Sequence, residues 1–166
     1  KDTAAYTGKP VKTVNPIVTV NGSTLTLNQD YKVQYQNNTN AGTAYVIVTG
    51  KGAYRGRVVL PFQIQPLSAS AGGVTIKPIS AKTYNGKLQK PAVSVTASAG
   101  GKTKKLVKNK DYKVTYKNNL HAGTATVMIT GKGNYAGVKA QTQFTIQPQS
   151  IAKAAVKGTQ SSLQLT

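Results

Sequence analysis

The side chains able to do acid, base or nucleophilic chemistry are few in this 166-residue chain. It holds one histidine, His121, three acidic residues, all of them aspartates, and no cysteine. A hydrolytic triad needs a nucleophile, a base and an orienting group in convergent positions, and its base would have to be His121. The equivalent position of an internal repeat holds Asn40, which is typical of a polar loop residue. We therefore predict that the chain is not an enzyme and needs no cofactor.

The aspartates are also poor candidates for a metal site. Calcium favours several clustered carboxylates, whereas Asp2, Asp30 and Asp111 are scattered, and zinc would find one histidine and no thiolate. Asp30 and Asp111 each precede a tyrosine at the start of a predicted strand, where aspartate accepts hydrogen bonds from turn amides. The alternative is that they promote a Lys–Asn isopeptide crosslink. That role needs an apolar-embedded lysine nearby, which Lys32 and Lys113 do not obviously provide.

Two glycine-rich runs could suggest a phosphate-binding loop. They are Gly-Lys-Gly at 50–52 and the same tripeptide at 131–133. A phosphate loop requires a following helix whose amino end faces the anion, but here strand-like sequence follows. We predict tight turns at both places.

The charge distribution gives the strongest candidate for binding. Lysine and arginine number 22 and the formal net charge is +19. Seven lysines, which we call the lysine ridge, lie within sixteen residues: Lys102, Lys104, Lys105, Lys108, Lys110, Lys113 and Lys117. Such a field attracts polyanions. The alternative is a solvated face that only keeps the protein soluble. Any nucleic-acid binding should be weak and independent of sequence, because the interleaved tyrosines are predicted to face the core.

An internal repeat organises the chain. Residues 30–56 and 111–137 are identical at 18 of 27 positions without a gap. The landmarks Tyr-x-Gly-Lys at 6–9 and 84–87, and Phe-x-Ile-Gln-Pro at 62–66 and 144–148, recur in the same order. We call residues 1–66 repeat 1, with an opening strand that we predict to be truncated, and residues 67–148 repeat 2, joined near 66–73. Residues 149–166 are predicted to be a linker or the first strand of a third repeat.

Within each repeat, apolar residues alternate with polar ones. Tyr112, Val114 and Tyr116 share one face of a predicted strand, with Lys113 and Thr115 on the other. Glycine and asparagine turns separate several such runs. The pattern predicts an all-β chain of two tandem immunoglobulin-like antiparallel β-sandwiches.

The combined landmarks resemble the tandem bacterial immunoglobulin-like repeats of Gram-positive cell-surface proteins, especially those of gut anaerobes. The resemblance spans about residues 6–148 and includes Asp-Tyr-Lys-Val-x-Tyr-x-Asn-Asn, Ala-Gly-Thr-Ala and Gly-Lys-Gly-x-Tyr-x-Gly. It implies a module that spaces, presents or adheres, in a secreted or cell wall-anchored extracellular protein, with no shared catalytic site. The low acidic content departs from the usual pattern of such repeats and indicates a special role.

Two functions remain open from the sequence. The first is a structural and adhesive module that binds an anionic host or cell-wall glycan through the lysine ridge, without inserting into a membrane and as a monomer within a longer array. The second is a protein-binding module that recognises a host protein through strand edges or through Tyr45, Ile47 and Met128, which are out of phase with the predicted core. A truncated repeat 1 would also expose an edge with which residues 151–166 of a neighbouring chain could pair.

Overall fold

The computed structural model describes residues 2–12, 16–68 and 73–152, and within them the fold is all-β. Thirteen strands and one short 3₁₀ turn, Gly133–Tyr135, make up the described secondary structure. The strands of repeat 1 are β1 (Thr3–Ala5), β2 (Thr19–Val20), β3 (Ser23–Thr24), β4 (Tyr31–Gln36), β5 (Gly42–Gly50) and β6 (Arg57–Gln65). Those of repeat 2 are β7 (Val74–Ile76), β8 (Lys82–Thr83), β9 (Val95–Ala99), β10 (Lys102–Lys105), β11 (Tyr112–Lys117), β12 (Gly123–Gly131) and β13 (Lys139–Gln147).

The two repeats build the same four-stranded sheet. In repeat 1 the order is β1-β6-β5-β4, and in repeat 2 it is β8-β13-β12-β11. The long strands pair antiparallel, while the short outer strand of each sheet, β1 or β8, runs parallel to its neighbour. The pairing registers correspond as well, since Val33 faces Val48 in repeat 1 and Val114 faces Ile129 in repeat 2. The sequence repeat is therefore also a structural repeat.

Each four-stranded sheet packs its apolar face into a separate core. The predicted alternation of core-facing and outward-facing residues, with a period of two, is confirmed. The core of repeat 1 is formed by Val11, Leu25, Tyr31, Ala44, Val46, Val48, Phe62 and Ile64. The core of repeat 2 is larger and contains Leu67, Val95, Ala97, Leu106, Tyr112, Ala125, Val127, Ile129, Tyr135, Val138, Phe144 and Ile146.

The second layer differs between the repeats. In repeat 2 it is a three-stranded sheet of order β10-β9-β7, whereas repeat 1 has the hairpin β2–β3, with no described strand in the place of β7. On β6, Val58 pairs with the buried Val48 of β5, and Leu60 pairs with the buried Val46. Val58 and Leu60 are nevertheless 54% and 43% exposed. Repeat 1 therefore leaves part of its sheet uncovered. Residues 149–152 hold no strand, and the rest of the predicted third-repeat segment, with its pairing to a neighbouring chain, lies outside the described residues.

Paired asparagines hold a crossing segment against each sheet. Asn118 adopts a left-handed backbone with φ 54°, and the next residue, Asn119, is 7% exposed. Asn119 donates from its side-chain Nδ2 to the Gln89 backbone carbonyl at 2.8 Å. The backbone carbonyl of Asn119 accepts from the Gln89 backbone amide at 2.7 Å. Asn38 makes the same two bonds with Val11 in repeat 1. The Asn-Asn dipeptide thus serves the turn with its first residue and the crossing segment with its second.

We expect Asn119→Asp to lower the free energy of unfolding of repeat 2 by about 3 kcal/mol. The substitution keeps the volume but replaces the buried donor with a charged acceptor that faces the Gln89 carbonyl. Urea unfolding followed by tyrosine fluorescence measures the loss. Asn85→Asp is the matched control, because exposed Asn85 only accepts hydrogen bonds, one of them from the Lys87 amide at 3.0 Å. Equal effects of the two substitutions would contradict the role of Asn119.

Candidate polyanion-binding surface

The lysine ridge follows two edge strands of repeat 2 and the connection between them. Lys102, Lys104 and Lys105 lie on β10, which is the edge of the three-stranded sheet, and Lys113 and Lys117 lie on β11, the edge of the four-stranded sheet. The remaining two, Lys108 and Lys110, are in the connection from β10 to β11. The ridge therefore runs along one side of the repeat, from one layer to the other.

A compact turn fixes this connection. Leu106 anchors it in the core at 4% exposure, and the buried Asp111 accepts from the Val107 amide through Oδ2 at 2.8 Å. Asn109 has a left-handed backbone with φ 68°, and Lys132 donates from Nζ to its carbonyl at 2.8 Å. Asp30 makes the equivalent bond to the Thr26 amide in repeat 1. The predicted turn role of the two aspartates is confirmed.

All seven ridge lysines are exposed, but they do not share one face. Lys102 and Lys104 pair with Ala99 and Ala97 on the inner side of the sheet, and Ala97 belongs to the core. Lys105 is out of phase with them and lies on the outer side. On β11, Lys113 and Lys117 lie on the outer side of the other sheet, opposite the core-facing tyrosines. The ridge therefore wraps around the edge of the repeat instead of forming a flat row.

The inner part of the ridge borders a groove at the contact between the repeats. The groove has a volume of about 330 Å³, and Lys102 and Lys104 line it together with Lys9 of repeat 1. Tyr6 supplies an aromatic ring to the same groove. Lys9 was not among the candidates predicted from the sequence, because it lies more than ninety residues away from the ridge in the chain.

The charges of the ridge are not neutralised within the described residues. The only acidic side chain between the lysines, Asp111, is 8% exposed and bonds to a backbone amide. No ridge lysine forms an ion pair in the described part of the chain. Lysine ammonium groups left in this state present their full charge to an approaching anion.

The tyrosines between the ridge lysines face the core, as predicted. Tyr112 is 2% exposed and donates to the Val93 carbonyl at 3.1 Å, and Tyr116 donates to the Pro91 carbonyl at 2.6 Å. Burial raises the pKa of both phenols, and the nearby Asp111 charge raises that of Tyr112 further. Neither ring is available for stacking on nucleic-acid bases.

No protein-family model matches the chain, and none of the curated proteins matches it. Within the described residues, no three His, Cys or Asp side chains gather at a distance suitable for a metal ion. No described helix is long and apolar enough to cross a membrane.

The other candidate residues lie apart from the ridge. Tyr45 and Ile47 are on β5, and Met128 is on β12. Tyr45 and Met128 are half-buried, and the expected exposure of Ile47 is wrong, since its side chain is 8% exposed. β5 is a central strand, so Gln34 and Val59 flank Ile47 on the same face. Alternation identifies the face of a residue but not the shielding by its neighbours on that face.

The two Gly-Lys-Gly runs form tight turns, as predicted, and their lysines have a structural role. Lys51 donates from Nζ to the Asn28 carbonyl, as Lys132 does to Asn109. The 3₁₀ turn that follows Lys132 carries Tyr135, which folds back over the strand end. These backbone amides and lysines are used within the fold and do not form an anion site.

The 3₁₀ turn also forms a contact between the repeats that was not predicted from the sequence. Asn134 donates from Nδ2 to Asn40 Oδ1 at 2.9 Å and accepts from the Ala41 amide through its own Oδ1 at 2.7 Å. The ring of Tyr135 meets the ring of Tyr6 edge-on, at 5.8 Å between centroids and 79° between planes. Burial of the Tyr135 phenol is the main cause that raises its pKa to about 12, and a hydrogen bond with Tyr6 is the next largest cause. The only sequence signal is the exchange of Ala53 in repeat 1 for Asn134 in repeat 2.

Proposed function

We propose that this chain is a non-enzymatic structural and adhesive module of a bacterial cell-surface or secreted protein, and that it binds anionic glycans through the lysine ridge. The observation that supports it best is the ridge itself. Within the described residues, seven exposed lysines without an ion pair lie along one side of repeat 2, and a groove beside them adds Lys9. A linear polyanion that follows the edge strands meets positive charge on both layers.

Two immunoglobulin-like sandwich units are part of the same proposal. Repeat 2 has seven described strands in sheets of four and three, with its core between them, which is the strand number of a constant-type immunoglobulin domain. The connection order differs from that of antibody domains, because the three consecutive strands β11, β12 and β13 lie side by side in one sheet. The shared architecture supports a spacer or presenting module, and the ridge supports adhesion.

Glycans are favoured over bases as ligands by the surface chemistry. The ridge offers ammonium groups, which bind sulfate, carboxylate or phosphate groups, while the tyrosines of β11 are turned inward. The charge of the ridge lysines is also spread around the edge of repeat 2, and a flexible glycan chain can follow such a curved surface. The ligand class we propose is a sulfated, sialylated or phosphate-bearing glycan.

The test is binding of the chain to an array of anionic and neutral glycans at about 50 and about 300 mM salt, which bracket physiological screening. We expect binding to anionic glycans that weakens at least tenfold at the higher salt, because exposed charge pairs are screened within about 10 Å at 0.1 M. Neutral glycans of the same length are the control. Binding that persists at high salt would indicate apolar recognition, and absence of binding at both salts would contradict the adhesive function.

A further inference from the structure

The surface that Asn134 and Tyr135 occupy on repeat 1 has an equivalent on repeat 2. On repeat 1, the turn of the next repeat lies against Tyr6, Asn40 and Ala41. The internal repeat places Tyr84, His121, Ala122 and Pro148 at the positions that Tyr6, Asn40, Ala41 and Pro66 hold in repeat 1. The same surface is therefore present twice, and one copy of it is filled within the chain.

The second copy of this surface forms a pocket. Its volume is about 610 Å³, and we call it the acceptor pocket, defined by its lining residues Tyr84, His121, Ala122, Pro148, Gln149, Ser150 and Ile151. His121 and Ala122 are exposed, and Ile151 is 76% exposed. Exposed apolar area of this kind at the end of a repeat has no stabilising contact within the described residues.

The acceptor pocket offers the groups that hold Asn134 in the filled copy. The amide of Ala122 has no acceptor among the described residues, whereas the amide of Ala41 donates to Asn134. A neutral imidazole has one unprotonated ring nitrogen, so His121 can accept a hydrogen bond in the place of Asn40 Oδ1. The ring of Tyr84 lies beside that of His121, at 6.5 Å and 18° between planes, and presents an aromatic surface as Tyr6 does.

The connecting segments correspond in part. The Leu67 amide donates to the Asn134 carbonyl at 2.8 Å, a backbone bond that Gln149 can also make. The Leu67 side chain enters the core of the repeat that follows it, repeat 2. Gln149 is polar and cannot fill the equivalent place in the core of a further unit. Ile151, two residues further on, is the apolar side chain available in the second segment.

We propose that the acceptor pocket binds the Gly-Asn-Tyr turn of a further unit of this same repeat, placed in line after repeat 2. We infer this occupant from repeat 1, where the equivalent residues bind the Gly-Asn-Tyr turn of repeat 2. The contact is small, so it needs the high local concentration that a short connection provides, about 1 mM. This inference concerns the end of repeat 2 and does not depend on polyanion binding.

The test is amide hydrogen exchange, followed by NMR, on the chain and on an extended chain. In the extended chain a second copy of residues 71–152 follows Ala152, which continues the repeat in phase. In the chain itself we expect slow exchange at Ala41 and fast exchange at Ala122. In the extended chain Ala122 should become at least about tenfold slower, because its amide gains the acceptor that Ala41 already has.

The matched control carries Asn134→Ala only in the added copy. It removes the hydrogen-bonding amide and leaves the tyrosine in the core of the added unit, so Ala122 should again exchange fast while Ala41 stays slow. Equal exchange at Ala122 in the extended chain and in this control would overturn the proposal. Fast exchange at Ala41 in every chain would also overturn it, because the filled copy would then not form in solution.

A second measurement covers the case in which the added unit does not fold. Ala53→Asn gives repeat 1 of the unextended chain the same Gly-Asn-Tyr sequence. The turn of one molecule can then bind the acceptor pocket of a second molecule. The ring signals of His121, the only histidine, report on the pocket directly. We expect them to shift with protein concentration up to about 1 mM in this variant. The absence of any shift, or an equal shift in the chain without the substitution, would contradict the proposal.

Discussion

Gly131→Ala is expected to unfold the turn after β12 and to lower the free energy of unfolding of repeat 2 by about 4 kcal/mol or more. A Cβ atom at this position would lie 1.7 Å from the Tyr135 carbonyl oxygen and 3.0 Å from the Val138 Cβ. The first of these neighbours is backbone, so it cannot rotate away. Tyr135 and Val138 are 3% and 0% exposed, and displacing the turn withdraws both from the core.

The same substitution should open the contact between the repeats. Asn134 and Tyr135 belong to the displaced turn, so the hydrogen bonds to Asn40 and Ala41 are lost with it. Denaturant unfolding followed by tyrosine fluorescence measures the stability, and amide exchange at Ala41 measures the contact. Repeat 1 has its own core and should keep its unfolding midpoint to within the contribution of the contact.

The control for this prediction lies two residues away. Gly133 has φ 56° and no atom within 4 Å of a Cβ, so only its backbone conformation constrains the residue. The chain places asparagine at positive φ in five described positions, among them Asn109 and Asn118. Gly133→Asn should therefore cost about 1 kcal/mol or less. A loss at Gly131 no larger than the loss at Gly133 would show that the close approach to Tyr135 does not form.

The sequence predicted the parts of the fold that depend on local periodicity. The alternation of Tyr112, Val114 and Tyr116 with lysine and threonine identified the core face of β11, and the Gly-Lys-Gly runs identified turns. These predictions succeed because side-chain direction in a strand alternates with a fixed period of two. The all-β class followed from the same signal.

Features that depend on distant partners were not predicted. Alternation along β10 divides the ridge between its two faces, but only the pairing with β9, which places Lys104 beside Ala97, shows which face is the inner one. Lys9 joins the groove only because the two repeats contact each other. The burial of Ile47 depends on strands on both sides of β5. No local pattern carries this information, because each case depends on which strands become neighbours.

Lys102→Gln, Lys104→Gln and Lys105→Gln combined should weaken binding to an anionic glycan about 100-fold at low salt. At an anionic lipid surface each lysine contributes about 1 kcal/mol, and a glycan polyanion presents a comparable field to exposed ammonium groups. The three lysines lie on one edge strand and include the two that border the groove with Lys9. Titration of the purified variant with a sulfated glycan such as heparin, at constant salt, measures the change.

A matched variant separates the ridge from net charge. Lys32→Gln, on β4 of repeat 1, and Lys77→Gln and Lys82→Gln, in repeat 2, remove the same charge from exposed positions outside the ridge. Lys82 is on β8, at the opposite edge of the sheet from β11, and Lys77 follows β7, at the opposite edge from β10. If the ridge forms the site, this variant should lose less than about tenfold, because its lysines act only at long range through screened charge. Equal losses in the two variants would mean that total charge alone attracts the glycan, and the ridge would then be only a solvated face.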